Sequence, residues 1–295
     1  MPLIKSRLTQ RASLDFTALG TEWRIDTDSP LKPDTIARIR DELDAYEKIY
    51  SRFRDDSLVA QMAQRAGVYT FPPDFEPLFR LYMLCYRVTG GAMTPLIGRA
   101  LEQLGYDKNY SLQQSLLSDV PVMADVLSWD KKSTLTTKQP IVFDIGAAGK
   151  GQAVDRVAAI LADVSVVDCT IDASGDIYHS GSRGEVIGLE HPGDPTKVIG
   201  TAMIKNQSLC ASASNRRAWN DVHHIVNAHT LQPVQTVVAT WVIADSAMVA
   251  DGLATALFFV ESAEDLQEDF DFSYVRMFAN GMVDYSTNFE GELFT

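Results

Sequence analysis

The chain has 295 residues, 46% of them hydrophobic, and a formal net charge of −13. That is apolar sequence enough for a sizeable core, built over residues 1–295 as one domain or as two intimately joined lobes. The acidic balance argues against nucleic acid or an anionic membrane as a main partner, because phosphate-rich surfaces demand clustered Lys and Arg. The three cysteines, Cys85, Cys169 and Cys210, stand far apart without metal spacing, which reads as thiols in a reducing compartment. Residues 1–10 show no apolar leader core and no lipidation signal, and no run approaches the length of a membrane span. The expectation is a cytoplasmic protein.

In chain order, residues 13–28 alternate loosely and suggest an opening strand interrupted at Leu19-Gly20-Thr21. Ile36, Ile39, Leu43, Tyr46 and Tyr50 then keep a helical period behind Pro33. Two further helices are expected at 76–90 and 94–105, separated by Thr89-Gly90-Gly91-Ala92. Short β stretches follow at 126–129 and 134–145. The second half alternates strands and helices, with strands at 165–171, 185–189 and 237–244. A closing pair at 274–279 and 282–286 is joined by Asn280-Gly281, a strong hairpin signal. There is no internal repeat and no linker rich in Pro, Gly or Ser. The fold class is mixed α+β.

Two segments carry chemistry. In the first, Pro140-Ile141-Val142-Phe143 looks like a strand leading into Asp144-Ile145-Gly146-Ala147-Ala148-Gly149-Lys150-Gly151. Val154, Val157, Ala158 and Leu161 then mark a helix. Strand, small-residue turn and helix expose backbone N–H groups to an anion, and Lys150 stands ready for phosphate charge. Gly151 after Lys150 excludes a Walker A loop, and the glycine order excludes a dinucleotide G-x-G-x-x-G turn. In the second segment, the apolar run 237–244 precedes a helix on which Asp251 and Thr255, four apart, share a face. A carboxylate with a hydroxyl is a hard oxygen pair that suits Mg²⁺ better than zinc.

The five histidines all lie in the C-terminal half, three of them within His223-His224-Ile225-Val226-Asn227-Ala228-His229. Their spacing does not fit a zinc set, whereas a histidine beside a phosphate-and-metal site is a candidate general base. Arg216 and Arg217 close a small-residue strand or loop at 208–217 and either bind phosphate or support the fold; spacing does not decide between them.

Taken in order, these segments resemble the ApbE family of FAD:protein FMN transferases. The resemblance runs from about Phe16 to Val260. The family's D-[LI]-[GS]-G-[IV]-[AG]-K-G-[YF]-A-V-D looks like Asp144 to Asp155, with Ala147 for a glycine and Gln152 for an aromatic. Its A-D-[AGS]-L-[SA]-T looks like Ala250 to Thr255. Its M-G-T resembles Leu19-Gly20-Thr21, and its S-T-Y-x-x-x-S resembles Ser51-Arg52-Phe53 through Ser57. T-G-G-A-F-D-P resembles Thr89 to Pro95, and H-I-I-D-P-x-T-G-x-P resembles His224 to Pro233.

The resemblance implies a mixed α+β, T-fold-like architecture and a Mg²⁺-dependent enzyme. Such an enzyme splits FAD, places FMN on a Thr or Ser of an acceptor flavoprotein and releases AMP. It further implies that Asp251, Thr255 and the Ala147 carbonyl hold the metal, and that His224 activates the acceptor hydroxyl. Flavin contacts would fall to Leu19, Phe53, Ala92, Met93, Thr94, Asp144, Lys150 and Ile225. The alternatives are an FAD pyrophosphatase yielding FMN and AMP, and an FAD-binding homologue without catalysis. Against the family pattern, Met93-Thr94 stands for Phe-Asp, Asn227-Ala228 for Asp-Pro, Leu231 for Gly and Leu19 for Met. The two lost acids leave Asp251 as the one clear anionic ligand. Phe53 for Tyr keeps a stacking face and drops a hydroxyl.

Overall fold

A computed structural model describes residues 11–220 and 222–294; residues 1–10, expected to carry no leader, lie outside it. Its frame is an eight-stranded sheet with every neighbouring pair antiparallel. The strands lie side by side in chain order: Ala12–Ala18, Thr21–Thr27, Cys169–Asp172, Asp176–Ser180, Gln207–Ala213, Val237–Ala244, Ser273–Phe278 and Val283–Tyr285. Sequential strands pair because short closures cost least chain entropy. The opening hairpin turns at Leu19 and Gly20, both at positive φ (52° and 69°), and the closing one at Gly281, φ 86°.

Longer insertions dress the two faces of this sheet. Residues 28–168 supply the helices Pro33–Tyr50, Phe75–Val88 and Gly149–Asp163, which pack on one face together with Ala247–Ala256. On the other face a smaller sheet of Glu185–Glu190, Val198–Ile204 and Gly291–Leu293 buries Leu189 and Ile204 against Ile177, Leu209 and Trp241. The strand Val237–Ala244 shows why its sequence is apolar apart from Thr240, whose hydroxyl donates to the Ala254 carbonyl. Val242 and Ala244 point into the helical core, and Ala239, Trp241 and Ile243 into the small-sheet core. A strand covered on both faces has no polar register.

The architecture is mixed α+β, as the sequence suggests, but several elements differ. Residues 140–143 are not a strand. The Ile141 N–H donates to the Met62 carbonyl at the end of a short helix and the Asp144 N–H to the Pro95 carbonyl in a turn, so the segment threads between two separate elements without a ladder. Of 134–145, Thr134–Thr137 alone is a strand, and the helix at 94–105 shortens to Gly98–Gln103. The helix Leu58–Gln64 and the strands Asp176–Ser180 and Val198–Ile204 were not expected; each is too short or too mixed in polarity for a periodic signal. No helix among the described residues is long and apolar enough to cross a membrane.

Candidate active site

The site is organised by two helices that cap each other. Gly149–Asp163 and Ala247–Ala256 approach so closely that a Cβ on Gly151 would lie 2.2 Å from the Ala247 carbonyl oxygen and 2.8 Å from Asp251 Cβ. At this crossing the Gly151 N–H donates to Asp251 Oδ2 at 2.9 Å. In return the Asp155 carboxylate accepts from the Ser246 hydroxyl at 2.7 Å, the Ala247 N–H at 2.8 Å and the Met248 N–H at 2.9 Å. Each helix thus receives the other's carboxylate at its N-terminus, where N–H groups lack intrahelical acceptors and the dipole is positive. The two aspartates have different work. Asp155 is consumed in capping, whereas Asp251 caps with one oxygen and borders an open cleft.

That cleft, of about 780 Å³, is lined by every residue the family resemblance singled out: Leu19, Phe53, Ala92, Met93, Thr94, Asp144, Ala147, Lys150, His224, Ile225, Asp251 and Thr255. On its floor Lys150 Nζ donates to the Ala173 carbonyl at 2.8 Å and lies 2.8 Å from Asp176 Oδ2. Asp176, which the sequence reading passed over, is fully buried, and its Oδ1 has no partner. Asp251 is therefore not the one carboxylate here. Burial pushes the Asp251 pKa well above the usual carboxylate range, and Asp176 adds to the push while Lys150 opposes it. Burial lowers the Lys150 pKa, but the two carboxylates outweigh it and the net shift is upward. Lys150 offsets part of the negative charge and leaves a remainder.

The donors left for a cation are hard oxygens. Asp251 is 5% exposed, and the Thr255 hydroxyl is 3.4 Å from that of Ser212. The Gly151 N–H, which a continuous helix would direct to the Ala147 carbonyl, goes to Asp251 instead and leaves that carbonyl to another partner. Among the described residues no group of three or more His, Cys, Asp or Glu side chains could hold a metal ion. The set is one carboxylate, one hydroxyl and one carbonyl, hard oxygens of the kind that suit Mg²⁺ rather than zinc.

The histidines separate cleanly. His223 accepts the Ile225 N–H on Nδ1 at 3.2 Å, so its Nε2 donates to the Val234 carbonyl at 2.9 Å. His229 Nε2 meets the Gly90 carbonyl, His179 lies between the Thr170 hydroxyl and the Arg183 carbonyl, and His191 accepts the Gly193 N–H. His224 lines the cleft with its Nδ1 buried and without a partner. Burial pushes its pKa down to about 3, with the Arg217 guanidinium adding to the shift. The ring is neutral at pH 7 and has a lone pair free. Both arginines of the pair border the cleft but differ in partner: Arg216 is 3.1 Å from Glu190, whereas Arg217 pairs with no carboxylate among the described residues.

The remaining wall is aromatic, and two of the expected flavin contacts in it already have partners within the protein. Asp144 lines the cleft but uses both oxygens within the protein, taking Arg52 Nε at 2.5 Å on Oδ2 and the Gly146 N–H at 2.6 Å on Oδ1. Phe53 does not offer an unoccupied ring. Tyr110 stacks parallel to it (1°, centroids 5.6 Å apart), and the Arg52 guanidinium carbon is 4.2 Å from its centroid. Tyr106 closes the corner, edge-on to Phe53 and stacked on Trp219. Arg52, Tyr106, Tyr110 and Asp176 were missed. Arg52 stands where the resembled S-T-Y pattern has threonine, and Asp176 follows Gly175 in a strand-to-strand turn, so both left a trace. Tyr110 left none.

The sequence model of the ApbE family matches residues 19–269. The chain belongs to the ApbE family. The FAD:protein FMN transferase of Klebsiella pneumoniae (strain 342) is 23% identical over 272 residues, 83% of this chain and 77% of that protein. The Haemophilus influenzae protein of the same name is 25% identical over 279 residues, 85% of this chain and 81% of its own. Among solved structures, the ApbE protein of Thermotoga maritima superposes with a TM-score of 0.81 at 25% identity, covering 94% of this chain and 97% of the other. The flavin transferase ApbE of Vibrio cholerae shares the fold with a TM-score of 0.77 at 18% identity, covering 94% and 97%. As an ApbE protein, this chain is a transferase.

Proposed function

We propose that this ApbE cleft binds FAD and, with Mg²⁺, transfers its FMN half to a Thr or Ser hydroxyl of an acceptor flavoprotein. The observation that carries the proposal is the Asp251 carboxylate held 2.9 Å from the Gly151 N–H, beside Lys150 in a cleft that His224 also borders. The acceptor oxygen attacks the FMN-side phosphorus, the bond from that phosphorus to the bridging oxygen breaks, and AMP leaves with the bridging oxygen. The hydroxyl proton passes to a nitrogen of His224, which borders the cleft with its Nδ1 unpartnered. Lys150 and Arg217, which border the cleft, attract the diphosphate. Asp251, Thr255 and the Ala147 carbonyl would hold the metal, which when bound neutralises charge on the diphosphate oxygens.

The test is incubation of the protein with FAD, Mg²⁺ and candidate acceptors, read by in-gel flavin fluorescence and mass spectrometry of released nucleotide. Wild type gives covalent flavin and AMP. Asp251→Ala gives neither, a loss of at least about a thousandfold, and His224→Ala loses transfer while retaining FAD binding. Wild-type turnover in Asp251→Ala overturns the assignment. FMN and AMP released with no labelled acceptor would make the protein a pyrophosphatase instead.

A further inference from the structure

The cleft contains one buried cation that neither the diphosphate chemistry nor the base uses. The Arg52 side chain is 4% exposed, in the wall of the cleft. Its Nε donates to Asp144 Oδ2 and its Nη1 to the Tyr106 carbonyl at 2.9 Å, while Nη2 is buried without a partner. The guanidinium carbon lies 4.2 Å from the Phe53 centroid and 4.9 Å from that of Tyr106. Leaving a charged donor desolvated and unpaired is costly, so a latch needing only Nε and Nη1 would be an expensive way to hold Asp144.

Its charge is already balanced by Asp144, so Arg52 adds little net attraction for a phosphate. Arg217, with no carboxylate partner among the described residues, lies along the same cleft for that purpose. What Arg52 offers is a fixed planar donor beside flat rings, the outer of which, Tyr110, is 53% exposed and sits on backbone at φ 49°. A planar heterocycle that stacks in place of Tyr110 and carries acceptor atoms on its edge matches both features. Resting on the reading of FAD as substrate, we propose that Arg52 selects the flavin ring: Nη2 donates to a carbonyl oxygen on the polar edge of the isoalloxazine. Tyr110 is the ring that gives way to it.

The experiment is equilibrium binding to the full chain without acceptor, comparing FAD with ADP-ribose, which carries the ADP half and no flavin ring. Arg52→Gln and Arg52→Lys lower FAD affinity by about tenfold to a hundredfold, the range of one hydrogen bond to a charged group. ADP-ribose affinity stays within about twofold, because the ion pair and its single hydrogen bond act away from the ADP half. Lysine keeps the charge beside Asp144 without the planar fork and does not rescue. Isotope-edited infrared of bound FAD labelled at a ring carbonyl gives a second readout, with the stretch lower in wild type than in Arg52→Lys.

Equal loss for both ligands, or an unshifted carbonyl, makes Arg52 a structural latch and overturns the proposal. Unchanged FAD affinity overturns it as well. If wild type binds no FAD, the transferase reading falls with it; if wild type transfers FMN while the FAD to ADP-ribose ratio ignores Arg52, this assignment alone falls.

Discussion

The floor and the wall of the cleft are built on opposite plans. The floor, from Gly149 to Asp155 and from Ser246 to Thr255, is backbone geometry. Two helix N-termini exchange carboxylates, and a glycine is required where they touch. The wall, with Arg52, Phe53, Tyr106 and Tyr110, is side-chain packing, one guanidinium among rings. At Gly151 the floor leaves no room for a side chain, because the helix crossing and a carboxylate oxygen of Asp251 meet there. The wall can exchange residues so long as it presents flat faces and a donor, and Arg52 and Phe53 are departures of that kind.

The contrast breaks most directly at Gly151. A methyl group there meets backbone at 2.2 Å, not the yielding end of a side chain. Gly151→Ala should destabilise the fold by about 3 kcal/mol, the upper part of the usual overpacking range, as read from urea midpoints. A near-neutral result would show that the two helices slide apart freely and that the floor is not rigid.

Acid sharpens the comparison from the side of the base. An unfolded imidazole titrates near 6.5, whereas that of His224 is pushed down to about 3. Below about 6.5 the unfolded chain binds the extra proton, so the stability tied to neutral His224 is complete above that pH and is lost as pH falls toward 3. Urea midpoints of wild type and His224→Gln should therefore converge, then cross in favour of the variant, as the buffer is acidified from 7. Parallel curves would place His224 in water.

The smallest effect concerns a family departure. Leu231 holds φ 56°, a left-handed conformation that suits glycine, in the turn that follows His224 and ends at the Val226–Pro233 bridge. Leu231→Gly should stabilise the chain by about 0.5 kcal/mol in thermal or urea melts, since relief of the left-handed backbone (about 1–2 kcal/mol) outweighs the added unfolded-chain freedom of glycine (about 0.4–1 kcal/mol). Loss of stability would mean that the leucine side chain packs well enough to offset its backbone.

Sequence by itself settled what repeats along the chain or needs a special backbone. The apolar run 237–244, the helix after Lys150, the Asn280-Gly281 turn and the Asp251/Thr255 spacing were legible because period, turn chemistry and helix pitch are local properties. Tertiary structure alone decided the rest. It took the apparent strand at 140–143 and tied it to a helix end and a turn, and it separated His224 from His223 by which ring nitrogen found a partner. It gave Asp144 to Arg52 and set the unheralded Asp176 beside Lys150. Those outcomes depend on which distant groups share a desolvated space, and burial, unlike periodicity, is not a property of neighbouring letters.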